Sequence, residues 1–213
     1  MTARTSRELQ LGVFASGRGS NFSALLKAIA EDRLNAQVRL LVSNRSDAGA
    51  LGTALEQGIP TKILSSADFS SGDRFVKTLL FELRKHGVDF IALAGYLKKV
   101  PMEVIREYRH RIVNIHPALL PSFGGKGLYG HVVHEAVLNH GCKITGVTVH
   151  IVDEQYDHGP IVAQRSVPVK EDDTADSLAE RVLQMEHRLY AETLQLFAEG
   201  KVRVEGGRTV IDR

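Results

Sequence analysis

This chain is almost without cysteine. Cys142 is the single one in 213 residues, so no intrachain disulfide can form. A chain of that kind fits a reducing cytoplasm. An excess of one charge is lacking too: 27 Lys and Arg stand against 25 Asp and Glu, a net +2. That balance gives no global signal for nucleic acid or a membrane surface. Residues 1–8 are polar and carry no apolar signal-peptide core. No apolar run approaches the ~20 residues a membrane span requires. Neither secretion nor membrane insertion is expected, and residues 1–8 read as a short disordered tail. Internal repeats, low-complexity tracts and a clear linker are also absent, so 1–213 reads as one domain. Apolar residues are plentiful, at 43% of the chain, enough for a sizeable core.

The first half alternates strand and helix. Strands are expected at 9–16, 36–43, 61–64 and 90–94, and helices at 21–31, 47–57 and 73–86. Gly58 and Gly87 follow two of these helices as stop signals. This βαβα rhythm argues a parallel, doubly wound sheet. The second half departs from it. A helix at 101–108 opens on Pro101 as a first helical residue, and a short strand follows at 112–116. Another helix spans 131–140. Apolar stretches 143–152 and 161–169 suit antiparallel pairing, 174–199 reads as one long helix, and 202–211 as a terminal hairpin. The fold class expected is α/β, mostly parallel and Rossmann-like, with antiparallel C-terminal additions.

Two segments carry chemistry. Ser16-Gly17-Arg18-Gly19-Ser20-Asn21 joins a strand to a helix. Backbone N–H groups there, with Gly allowing close approach, make an anion site. Phe22 stands where the dinucleotide fingerprint needs Gly or Ala, and no Walker Lys-Ser or Lys-Thr follows. The loop therefore suits a monophosphate. The bland alternative is a tight turn with Ser20 or Asn21 as helix cap. The second segment is Asn114-Ile115-His116-Pro117, followed by Asp157. An amide and an imidazole closing an apolar strand lie where open α/β sheets place ligands. His exchanges protons near neutral pH, a carboxylate supports its cation, and an amide steadies an oxyanion. These are parts for acyl or formyl transfer between nitrogens without a Ser or Cys nucleophile. The bland alternative is a hydrogen-bonded Asn and a buried His beside a turn-forming Pro.

Metal binding competes weakly. His131 and His134 are three apart, and His150, Asp153, Asp157 and His158 are near in sequence, but the HExxH spacing is missing. Nothing near Cys142 activates a thiol. Residues 123–130, rich in Gly and containing Lys126, read either as a lid or anion contact or as a solvated loop.

Together these segments resemble the folate-dependent formyltransferase family, and within it the glycinamide ribonucleotide branch. The resemblance runs from Leu11 to Ala198. It rests on Ser16–Asn21, Leu93-Ala-Gly-Tyr96, Asn114-Ile-His-Pro-Ala-Leu-Leu-Pro121, Asp157-His-Gly-Pro160 and Gln184-Met-Glu-His187. It implies a catalytic trio at Asn114, His116 and Asp157. It implies a substrate phosphate on Gly17, Arg18, Gly19, Ser20 and Asn21, and a ribose contact at Glu186. It implies a folate site near Leu97, Lys98, Lys99, Val100, Asp153 and Glu154. Residues 9–100 would form the phosphate side and 101–213 the catalytic and folate side. The implied reaction is formyl transfer from 10-formyltetrahydrofolate, as co-substrate and without metal, to the amine of glycinamide ribonucleotide in purine biosynthesis. The implied enzyme is cytoplasmic, a monomer or homodimer, binding no nucleic acid and no membrane. The chain departs from the family pattern at Lys99, in the longer loop around Gly124–Gly127, and at His158.

Three rivals remain. Formyltetrahydrofolate hydrolase shares the catalytic half but carries an N-terminal regulatory domain, and only about ten residues precede the first strand. Methionyl-tRNA formyltransferase would need a further C-terminal RNA-binding domain. A non-catalytic nucleotide sensor would use the phosphate loop without the trio.

Overall fold

The computed structural model describes residues 6–212. Seven strands form one sheet in the order β3-β2-β1-β4-β5-β6-β7. They are β1 (Leu9–Phe14), β2 (Ala36–Ser43), β3 (Thr61–Ile63), β4 (Phe90–Leu93), β5 (Ile112–His116), β6 (Ile144–Ile151) and β7 (Ile161–Pro168). The pairs from β3 through to β5 are parallel. The pairs β5–β6 and β6–β7 are antiparallel. A separate hairpin, β8 (Val202–Glu205) and β9 (Arg208–Ile211), ends the described chain. The α/β architecture with antiparallel C-terminal additions is therefore as expected from the sequence.

Both faces of the parallel strands are covered, which is why β4 is apolar at all four positions. Leu9, Leu11, Val13 and Ala15 of the first strand and its exit point to one face. They meet α1 (Ser20–Ala30) and α6 (Ala175–Ala198) through Phe22, Leu25 and Tyr190. Phe14 points to the other face, with Leu40 and Val42 of β2. That side is closed by α3 (Gly72–Lys85) and α4 (Met102–Glu107). The apolar spacing Phe75, Leu79, Leu83 puts one face of α3 on the sheet. α2 (Gly49–Glu56) and α5 (His131–Asn139) complete the layers.

Local chemistry sets the boundaries. Thr174 and Ser177 form a reciprocal capping box that starts α6 at Ala175. Pro101 lies just before α4 with extended ψ, so it is the cap rather than the first helical residue. β1 stops at Phe14 because Ser16 leaves the ladder to bond Gly95 and Asn44. Residues 1–5 of the expected tail lie outside the described residues. Arg7, within that stretch, donates its N–H to the Ala198 carbonyl and pairs with Asp89.

Candidate active site

β1, β4 and β5 end side by side, and a cleft of about 1000 Å³ opens beyond them. Gly17, Arg18, Ser20 and Asn21 line it, as do Asn114, His116, Asp157 and Glu186. The two chemistry-bearing segments of the sequence thus share one space. A smaller cavity of about 70 Å³ adjoins at Asn114 and Asp157. Lys98, Lys99, Val100 and Asp153 line it, while Leu97 lines the large cleft. Glu154 lines neither cavity, and its side chain is exposed.

His116 is 3% exposed, and its Nε2 lies 2.8 Å from the Phe123 carbonyl. A carbonyl only accepts, so Nε2 carries the hydrogen. Nδ1 is left for proton exchange, and it faces Asp157 Oδ2 at 3.6 Å. Burial pushes the His116 pKa below its ordinary value, against the Asp157 charge and the Phe123 carbonyl, which raise it. At Asp157, burial opposes the charge, but His150, His116 and the Gly125 N–H outweigh it and hold the carboxyl below its usual range. The Gly125 N–H donates to Oδ2 at 2.8 Å. Asp157 itself sits in the left-handed region, at φ 53°, which Asp tolerates better than most residues.

The amide of Asn114 has a fixed direction. Its Nδ2 lies 3.1 Å from His150 Nε2 and 3.4 Å from Asp157 Oδ1. His150 Nδ1 donates to the Ile151 carbonyl at 3.1 Å, which leaves Nε2 as an acceptor. Sequence reasoning met His150 only as a metal candidate. What would have found it is the strand register: His150 lies directly opposite Asn114 across β5–β6. Among the described residues no three His, Cys, Asp or Glu side chains gather as a metal site. His158 bonds Asp153, and His131 pairs with Glu135 and Asp176.

The loop from Gly17 to Asn21 enters α1 through a glycine cap. Gly19, not Ser20 or Asn21, is the N-cap of α1, at φ 84°. A Cβ on Gly19 would meet Ala50 at 2.7 Å, and Gly19 does not line the cleft, so this glycine serves α1–α2 packing. Gly17 does line the cleft, and a Cβ there would meet nothing within 4 Å. Ser16 ties the loop to its neighbours: its hydroxyl donates to Asn44 Oδ1 and accepts from the Leu97 N–H. Asn21 donates to Glu186 at 3.5 Å. Burial pushes Glu186 up to about 7, with the Asn21 amide opposing the shift.

Two further contacts hold the constellation. A Cβ on Gly124 would meet Leu120 at 2.5 Å and Asp157 Cβ at 3.1 Å, so the Gly-rich loop packs on the carboxylate. The Tyr190 hydroxyl, fully buried on α6, lies 2.9 Å from the Leu93 carbonyl and 3.2 Å from that of Val113.

The fold and this cluster define a group-transfer site at the strand ends of an open α/β sheet. The chain belongs to the formyl transferase family, whose model matches residues 9–194. It is 46% identical over 198 residues to the chloroplastic phosphoribosylglycinamide formyltransferase of Arabidopsis thaliana, covering 92% of this chain and 68% of that protein. It is 36% identical to the trifunctional purine biosynthetic protein adenosine-3 of Gallus gallus, over 95% of this chain but 20% of that protein. Among solved structures, glycinamide ribonucleotide transformylase 1 from Symbiobacterium toebii superposes with a TM-score of 0.90 at 38% identity, covering 97% of this chain and 95% of that one. A formyltetrahydrofolate deformylase from Pseudomonas syringae, 24% identical with a TM-score of 0.87, covers 98% of this chain and 67% of that one and shares the fold.

Proposed function

We propose that this chain transfers the formyl group of 10-formyltetrahydrofolate to the amine of glycinamide ribonucleotide, in de novo purine biosynthesis. The observation that carries this reading is one cleft joining the Gly17–Asn21 loop to Asn114, His116 and Asp157. The ribonucleotide phosphate takes the backbone of that loop with Arg18 at its edge, and the ribose takes Glu186. The folate lies along Leu97–Val100 and beside Asp153, next to the smaller cavity.

The amine attacks the formyl carbon directly. As the C–N bond forms, the carbonyl oxygen becomes an oxyanion. An Asn114 N–H exchanges its long contact to Asp157 for that oxygen and stabilises it. Asp157, ionised at neutral pH, accepts the proton that the amine loses. It passes the proton by way of His116 Nδ1 to the departing folate nitrogen as the C–N10 bond breaks. Collapse of the oxyanion to C=O drives that cleavage and leaves the formamide. Holding both substrates in one cleft supplies much of the acceleration. The enzyme works as a single formyltransferase domain over 1–213, monomeric or homodimeric, in the cytoplasm. No described helix is long and apolar enough to cross a membrane.

The test is consumption of the formyl donor by purified protein with and without glycinamide ribonucleotide. Turnover is expected only with the amine present. Equal turnover without it moves the assignment to hydrolysis.

A further inference from the structure

We propose that His134 binds the ribonucleotide, donating its Nε2–H to an oxygen of that substrate inside the cleft; this rests on the functional reading above. The residue lies on α5 between Val133 and Val137, both anchored in the core, and lines the large cleft but not the smaller cavity. His134 therefore faces the space shared by the phosphate loop and Glu186, away from Lys99, Val100 and Asp153.

The side chain is 4% exposed, yet neither ring nitrogen has a hydrogen-bond partner among the described residues. Nδ1 is sealed off, while Nε2 keeps solvent access. An imidazole buried for packing alone would bond at least one nitrogen to the backbone, as His116 and His150 both do. The tautomer follows from the sealed nitrogen. A buried orphan N–H is a rarer defect than an under-used acceptor, so Nδ1 is bare and the hydrogen sits on Nε2. Burial, with His131 and His116 nearby, pushes the ring down to about 4. At neutral pH it is an uncharged donor. That suits an oxygen of the ribonucleotide. The longer folate substrate has the other cavity and the Leu97–Val100 edge for its own contacts.

The geometry of amide side chains provides the test. A Gln amide nitrogen reaches about as far as imidazole Nε2, whereas an Asn amide nitrogen stops near Nδ1. The steady-state constants for both substrates are measured for wild type, His134→Gln and His134→Asn, with thermal unfolding to confirm that each variant is folded. His134→Asn is expected to raise the KM for glycinamide ribonucleotide about five- to tenfold, the scale of one lost hydrogen bond. Its kcat and the KM for the formyl donor should move much less. His134→Gln should recover most of the loss. Titrating glycinamide ribonucleotide into each protein without folate should give the same ranking. A normal ribonucleotide KM in folded His134→Asn, or Gln and Asn variants that behave alike, overturns the role of His134 while leaving the formyl transfer intact. Wild-type protein that fails to formylate glycinamide ribonucleotide overturns both.

Discussion

The ring of His150 decides where the amide of Asn114 points: Nε2 accepts from Nδ2 at 3.1 Å, with the ring itself fixed through Nδ1 to the Ile151 carbonyl. Without that acceptor the amide is free to turn its oxygen toward the reacting centre. His150→Leu keeps the volume and removes the acceptor. It is expected to lower kcat about tenfold or more, a fraction of the ~10²–10³ lost with a whole oxyanion donor. Single-turnover formyl transfer measures this directly. A folded His150→Leu enzyme within twofold of wild type would detach Asn114 from its orienting partner.

Asp157→Asn removes the proton acceptor but keeps the shape. General acid–base groups contribute roughly 10²–10⁴-fold, so turnover should fall by about a hundredfold or more. The Gly125 N–H still finds an amide oxygen, so the loop and both KM values should change far less. Near-normal turnover would remove the carboxylate from the mechanism.

The two glycines of the phosphate loop should separate binding from folding. Gly17→Val points into open space at the cleft and should raise the KM for glycinamide ribonucleotide roughly tenfold by blocking backbone approach to the anion. Gly19→Val places a β-branched residue at φ 84° against Ala50. It should cost stability by about 3 kcal/mol, from left-handed strain plus overpacking. Denaturant midpoints and KM values read the two effects apart. If Gly19→Val folds normally and only the KM moves, the packing role of Gly19 is wrong.

Glu186 makes stability depend on pH. Its folded pKa is raised to about 7, above the ordinary Glu value of 4.5. The native state therefore holds a proton that the unfolded chain releases between those two values. Stability from this group is complete below about 4.5 and is lost as pH rises through 7. The loss approaches about 3 kcal/mol at the top of the window. Unfolding curves of Glu186→Gln, compared with wild type from pH 5 to 8, should show a shallower decline. Parallel slopes would mean that Glu186 ionises freely where it sits.

The elements of the fold were readable because their signals are local. Strand alternation, helix periodicity, the Thr174 cap and the glycine stops each lie within a few residues of the boundary they set. The residue types of the trio were readable too, since Asn114 and His116 close one strand. What the sequence hid depends on register and packing. His150 gains its role by standing across a strand pair from Asn114, and His134 by having no partner for a buried ring. The packing demand on Gly19 was hidden as well, because it comes from Ala50, more than thirty residues away. Glu154 sits beside Asp153 in the chain, yet the turn sends the two side chains to different surroundings.

Tyr190 and Glu186 stand one helical turn apart on α6. The first is keyed to the carbonyls of Leu93 and Val113, and the second is joined to Asn21 beside the phosphate loop. The helix therefore works as a ruler. It fixes the span between the Gly17–Asn21 loop and the end of β5, where Asn114 and His116 sit in the same frame.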